Sequence, residues 1–209
     1  MKVTLISHSS NAAGDSLADQ VAYCARVSNP SNQMNKETNG KLLKYLLKHK
    51  HFSPFEMVSV CMEIETTRDI ARQILRHRSF SFQEFSQRYA KADLGFVTRD
   101  GRLQDLKNRQ NSLPVDDSEL NSRWKVKQQE LISQIHKTYC WALESGIAKE
   151  QARSILPEGN TLSRLYMNGT LRSWLHYIEL RQANGTQLEH MEVAKECAKV
   201  LSEIFPLEE

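Results

Sequence analysis

The sequence predicts an α+β fold: a small, mainly antiparallel sheet packed with several helices, long ones in the C-terminal half, and no Rossmann unit. Three observations lead there. Alternation of apolar and polar residues marks only short strands, far apart along the chain. Helical periodicity marks long amphipathic stretches, the longest after residue 118. No GxGxxG follows a strand and there is no P-loop lysine motif, so no nucleotide would sit on a Rossmann or Walker loop.

Residues 2–7 read as a strand. Gly14-Asp15-Ser16 opens a helix to about Arg26, with Leu17, Val21 and Cys24 on one face. Asn29 to Asn32 is a turn. Residues 39–50 form an amphipathic helix, with Leu42, Leu43, Leu46 and Leu47 inward and Lys41, Lys44, Lys48 and Lys50 on a solvated face. His51 to Glu56 breaks it. His49 and His51 have no carboxylate or Cys at ligand spacing, so no metal site is assigned. Met57 to Glu65 alternates with Val58, Val60, Met62 and Ile64 on one face, a half-buried strand.

Thr66-Thr67-Arg68-Asp69 has capping-box character and starts a helix that puts Arg72, Gln73 and Arg76 on one face. Residues 91–116 carry turn residues and little periodicity, compatible with either a substrate lid or a disordered connection. Ser118 to Glu144 is a long helix whose stripe of Leu120, Trp124, Leu131, Ile135, Tyr139 and Leu143 belongs to the core or a subunit interface. A shorter helix spans 147–155. Thr161 to Met167 reads as a strand, Asn168-Gly169 as a turn, Leu171 to Arg181 as a helix and 186–204 as a last, packing helix.

At 209 residues the chain is large enough for a real core, and with no repeat or linker it reads as one domain, 1–209. The net charge is +3, with 28 basic residues against 25 acidic ones, which argues against a nucleic-acid binder. The apolar run at the N-terminus is too short for a signal core and no segment reaches membrane-spanning length, so a cytoplasmic protein without a membrane partner is expected. Cys24, Cys61, Cys140 and Cys197 are far apart, form no CxxC and read as reduced core residues.

The chemistry concentrates between Arg76 and Tyr89. Arg76-His77-Arg78 is followed by Phe80, Phe82 and Phe85 interleaved with Ser79, Ser81, Ser86, Glu84, Gln87 and Arg88. Rings do not belong on a plain loop, and charges do not belong in a core. Guanidinium forks match phosphate oxygens and their planes stack on rings, so a flat anionic ligand such as a nucleotide fits. Cations at a helix C-terminus complement its dipole, but that leaves Glu84, Ser86 and Arg88 unexplained. A stripe for single-stranded nucleic acid is the competing reading.

Arg76-His77-Arg78, seven residues and then Ser86, followed by Arg88-Tyr89, resembles the signature of the flavin-dependent thymidylate synthases. Companions in matching order are Ala25-Arg26-Val27-Ser28, His51-x-Ser53-Pro54-Phe55-Glu56, Ala71-Arg72-Gln73, Ala152-Arg153-x-x-Leu156-Pro157, Arg172-x-Trp174-x-His176, Arg181 and Gln187-x-Glu189. The resemblance implies methylation of dUMP to dTMP, with the carbon from methylenetetrahydrofolate and the hydride from FAD reduced by NADPH. It implies that Gln73, Arg76, Glu84, Ser86, Gln87, Arg88, Arg153 and Arg181 hold dUMP, with Ser86 and Arg88 on the phosphate. It implies that Ser53, Arg76, His77, Arg78, Glu84, Thr170, Arg172 and His176 hold FAD. It also implies a homotetramer with sites at subunit junctions. Met57, Gln83, Thr170 and Gly185 depart from commoner residues of the family. A relative delivering a hydroxymethylated pyrimidine is the alternative within enzymes.

Methylating uracil at C5 needs electron density there, supplied by a thiolate adding at C6 or by stabilising the ring deprotonated at N3. No Cys has the basic, exposed setting a thiolate needs. A guanidinium can stabilise the anion instead, and the resemblance assigns that to Arg181. No His is placed in the sequence as a base for Ser86, which is read as a phosphate ligand and not a nucleophile.

Overall fold

The structure, a computed structural model, describes residues 1–206. It is α+β. The strands of the main sheet are β1 (Lys2–His8), β2 (Ser59–Thr67), β3 (Phe80–Glu84) and, numbered after a small hairpin of β4 (Arg102–Gln104) and β5 (Ser112–Pro114), β6 (Leu162–Thr170). Their order is β1-β2-β6-β3, antiparallel throughout. The helices are α1 (Leu17–Ala25), α2 (Asn39–Lys48), α3 (Arg68–Ile74), α4 (Ser118–Glu144), α5 (Lys149–Ala152), α6 (Leu171–Gln182) and α7 (Leu188–Ile204).

The alternation read in β2 is what builds the core. Val60, Met62 and Ile64 are fully buried, and Leu165 and Met167 of β6 join them on the same face. Leu17 and Val21 of α1, Trp174 and Tyr177 of α6, and Val193 and Cys197 of α7 complete this layer. Trp174 takes its polar edge in as well, because its indole Nε1–H donates to Val60 O at 2.9 Å. The opposite face carries Glu63, Glu65 and Arg164, whose Nη2 lies 2.6 Å from Glu65 Oε1. A smaller cluster of Tyr139, Ala142, Ala152 and Leu156 fastens α4 to α5. Three helix starts are capped by side chains read from sequence or adjoining it: Ser16 on α1, Asp117 on α4 and Thr170 on α6. Such a cap contributes about 1 kcal/mol.

Several expectations are corrected. Asn168-Gly169 is no turn: β6 runs through both to Thr170, paired with β2 on one side and β3 on the other. Phe80 to Glu84 is a strand, hidden in the sequence by its charged neighbours. The capping box at Thr67 does not form. Thr67 Oγ1 donates to Asp69 Oδ1 at 2.6 Å, while the first N–H groups of α3 reach Thr161 O (3.0 Å) and Glu158 O (3.2 Å). Because α3 stops at Ile74, Arg76 lies beyond it, and Gln73 turns inward while Arg72 stays exposed. The stretch 147–155 is a single α-turn, α5, followed by a 3-10 turn over Arg153–Ile155. Residues 91–116 are ordered around the β4–β5 hairpin. Of the four cysteines, all free, only Cys197 is fully buried. Leu120, Trp124 and Leu131 of the α4 stripe are exposed in the isolated chain, as is Trp141 outside it, so that part of the stripe is not core.

Candidate active site

Where β6 hands over to α6, a cavity of about 570 Å³ opens between the helix and the 3-10 turn at Ser53–Met57. Thr170, Arg172 and His176, all predicted flavin ligands, line it, with Ser79 from the turn before β3. Phe52 and Leu175 supply apolar walls, and Glu56 and Glu179 supply carboxylates. Arg172 is ion-paired with Glu56. The helix start, capped by Thr170, adds the partial positive charge of its free N–H groups next to that guanidinium. An apolar slot edged by a guanidinium and a helix N-terminus suits a flat ring carrying phosphates, once Glu56 releases the guanidinium. Ser53, Arg76 and Arg78 are exposed and do not line this cavity.

Arg181 sits in the last turn of α6 and is partly buried. Its Nε–H donates to His77 Nε2 at 2.8 Å. Burial, then the charge of Arg181, then His176 push the His77 pKa down to about 4, so the ring is neutral. Behind it lies fully buried His190, lowered to about 3 by burial and by the same arginine. A chain of hydrogen bonds runs from here in one direction. Tyr177 donates its hydroxyl hydrogen to His190 Nε2 (3.1 Å), and His190 Nδ1–H donates to Gln73 Oε1 (3.2 Å). Gln73 Nε2 donates to Gln187 Oε1 (2.7 Å), and Gln187 Nε2 to Glu189 Oε2 (2.9 Å). The Arg102 fork closes the chain on Glu189 at 2.7 and 2.9 Å. Both atoms of the Gln73 amide are therefore committed, and its orientation is fixed.

The remaining predicted ligands separate into two groups. Glu84 accepts from Ser163 Oγ at 2.9 Å and pairs with Arg72 (3.5 Å) and Arg68 (3.8 Å). Ser86 and Arg88 line a second, open cavity with Tyr89, Lys149 and Glu150. Arg153 follows α5 immediately, four residues after Lys149. No histidine lines this cavity to act as a base for Ser86. Gln87, 3% exposed, points inward with its Nε2 unpartnered in the isolated chain.

The thymidylate synthase complementing protein family matches residues 4–207 of the chain. A probable flavin-dependent thymidylate synthase of Paramecium bursaria Chlorella virus 1 is 50% identical over 89% of this chain and 86% of its own length. The chain belongs to the flavin-dependent thymidylate synthase family. The family's enzyme from a Synechocystis species is also 50% identical, over 89% of this chain and 85% of its own. Among solved structures, a UMP/dUMP methylase, PolB from Streptomyces cacaoi, bound with 5-bromo-dUMP, has a TM-score of 0.81 at 26% identity. That match covers 97% of this chain and 90% of PolB. Family membership makes the chain an enzyme, a methyltransferase. Among the described residues, no helix is long and apolar enough to cross a membrane.

Sequence reasoning missed several residues of the candidate site and its surroundings. Lys149 was legible as the residue one helical turn before Arg153. Glu56 and Gln187-x-Glu189 stood in the quoted motifs without a role. Nothing local announces His190, Arg99 or Arg102, because their partners lie far away in sequence. Arg99 bonds Asp69 at 2.7 Å and Arg102 bonds Glu189, so the segment read as lid or disorder is strapped to α3 and α7.

The same buried groups predict acid sensitivity. Each histidine starts from 6.5 and is lowered to about 4 for His77 and about 3 for His190. Neutral-ring stability is complete above pH 6.5 and is lost as pH falls through those values, at up to about 1.4 kcal/mol per group per pH unit. His77 contributes less, being partly exposed. For Glu189, burial would raise the pKa, but Arg102, its own backbone N–H and Gln187 hold it down to about 2 from 4.5. Its share is therefore lost only below about pH 4.5. Urea unfolding midpoints should already fall between pH 6.5 and 4.5, and His190→Gln should flatten that limb. An unchanged limb in the variant refutes the assignment.

Proposed function

We propose that the chain methylates dUMP to dTMP with methylenetetrahydrofolate as carbon donor, NADPH as reductant and FAD as resident cofactor. The observation that carries this reading is Arg181, a partly buried guanidinium whose one side-chain hydrogen bond among the described residues goes to a neutral ring. Its charge is thereby left free for a uracil that has lost its N3 proton, and that anion carries density to C5. Bound flavin, once reduced by NADPH, supplies the hydride that turns a transferred one-carbon unit into methyl.

Thr170, Arg172 and His176 hold the flavin in this reading, and Ser53, Arg76, His77, Arg78 and Glu84, which lie outside that cavity, complete the flavin set. The Glu56 carboxylate gives up Arg172 to a phosphate. Ser86 and Arg88, with Lys149 and Arg153 nearby, take the dUMP phosphate, while Gln73, with one amide hydrogen left over, and Gln87, with its Nε2 unpartnered, are assigned to the nucleoside. No thiol takes part in this reading: burial raises the pKa of Cys61 and Cys197, away from thiolate, and no cysteine lines the Arg172 or the Ser86 cavity. The enzyme works as a homotetramer with sites at subunit junctions. Supporting this are the exposed Leu120, Trp124, Leu131 and Trp141 of α4 and the openness of the Ser86 cavity. A nucleic-acid stripe is disfavoured because the net charge is only +3 and Arg88, the last cation of the Arg76 to Tyr89 stretch, is itself paired with Glu150.

The test begins with a visible spectrum of the purified protein and anaerobic titration with NADPH. A flavin band should bleach and return only when dUMP and methylenetetrahydrofolate are both added, with dTMP released. Bleaching with a hydroxymethylated product would select the alternative relative. UMP is tested beside dUMP because PolB is a methylase of both. Arg172→Glu should weaken flavin binding about a hundredfold by adding a third carboxylate to Glu56 and Glu179 in the cavity lining. Unchanged flavin affinity in that variant would remove the cavity from the reading.

A further inference from the structure

The contact between Arg181 and His77 has an unusual partner chemistry. Functional arginines are commonly oriented by carboxylates, which hold two N–H groups at once. Arg181 forms no ion pair among the described residues, although seven other arginines do. Its Nε–H meets His77 Nε2, so that nitrogen carries no proton and the ring's one hydrogen is on Nδ1.

The ring is held in that pose from several sides. It stands edge-on to Tyr177 with centroids 4.9 Å apart, and His190 lies 6.3 Å away. Tyr177 is itself buried and tied through His190 to Gln73. The backbone of His77 is bonded on both sides, its N–H to Ile74 O (3.0 Å) and its carbonyl to Phe80 N (3.3 Å). The charged and titratable groups facing it are Arg181, His176, His190 and Tyr177, with no carboxylate among them.

We infer that His77 is the positioning residue of Arg181: a neutral acceptor that aims the guanidinium while leaving its positive charge uncompensated for the pyrimidine anion. This rests on the reading that Arg181 activates dUMP. A carboxylate in the same place would orient the arginine as firmly, but it would cancel much of the field the substrate needs. Burial and the adjoining guanidinium suit the role, since they hold the His77 pKa down to about 4 and keep the imidazole unprotonated at neutral pH.

Three variants of the FAD-loaded enzyme separate this from a packing role. Glutamine reaches to about where Nε2 lies and offers a neutral oxygen; glutamate offers a charged one at the same reach; leucine offers none. At saturating FAD, His77→Leu should lose about tenfold to a hundredfold in kcat through a loosened arginine, and His77→Gln should recover most of that loss. His77→Glu should lose as much as His77→Leu. It should also raise the pH at which bound dUMP gives up its N3 proton, read by ultraviolet difference spectra without turnover. Equal damage in the glutamine and leucine variants, or a glutamate variant as active as glutamine, overturns the inference. Flavin affinity is measured in each variant, and a kcat loss that merely follows flavin loss overturns it too. Arg181→Ala separates the two levels. If it retains turnover, the activation reading itself fails. If it is inactive while His77→Glu matches His77→Gln, only the role of His77 fails.

Discussion

Arg181→Ala is expected to bind flavin and accept electrons from NADPH, yet to form dTMP at least about a thousandfold more slowly than wild type. The size follows from the chemistry. Removing one preorganised donor to a developing anion costs about a hundredfold to a thousandfold, and here the lost group is a full charge in a partly water-excluded place. Arginine cannot give up its proton at any working pH, so in the intact enzyme this charge is always present. Arg181→Lys should recover only part of the rate, because an ammonium restores charge but not the Nε–H bond to His77. The measurement is single-turnover dTMP formation, with flavin reduction by NADPH as the control for an intact site. The dUMP affinity should fall far less than the rate if the arginine acts mainly on the anion. A variant within tenfold of wild-type rate would show that another group carries the activation.

What the sequence could say about such a site depended on how locally each feature is encoded. Helix α4 and strand β2 were legible because periodicity repeats over many residues and their partners all lie on one side. The Arg-His-Arg stretch was legible because its residue types conflict with any ordinary loop or core. Strand β3 was not, since its alternation is only five residues long and Glu84 falls on the same face as Phe80 and Phe82. The Arg99 and Arg102 straps, and the His190–Gln73 and Gln73–Gln187 bonds, join residues 30 or more positions apart. No window of sequence contains both ends of those bonds. Gly185 is a different case. It stands where some relatives carry another residue, and its φ of 91° lies where a Cβ is strained. The turn from α6 to α7, which brings Gln187 and Glu189 back over Gln73, thus has a backbone reason for that glycine.

Gly169→Ala is expected to destabilise the fold by about 1 to 3 kcal/mol and to weaken substrate and flavin binding together, although Gly169 touches neither in the proposed site. The residue looked like half of a turn. It is the place in β6 where the ring of Phe80 lies flat on the backbone: a Cβ there would stand 2.4 Å from Phe80 Cδ1 and 2.7 Å from Cε1. The ring cannot simply retreat, because Trp174 meets it edge-on at 4.9 Å and Tyr177 at 6.0 Å, both fully buried. The strain must therefore pass into the β3–β6 pairing or back along the chain. Ser79 of the cavity adjoins Phe80, and His77, bonded to Arg181, is three residues before it. Overpacking at this one position should be read at the site as a displaced turn, and in unfolding as a fall in Tm of about 2 to 4 °C per kcal/mol. Phe80→Leu removes the flat ring at the cost of a gap, so the double variant should be less destabilised than the two single changes summed. Additive losses would mean that Gly169 and Phe80 do not share this contact. Loss of stability with unchanged binding would mean that the Arg76 to Ser79 turn is held by something other than the ring beneath it.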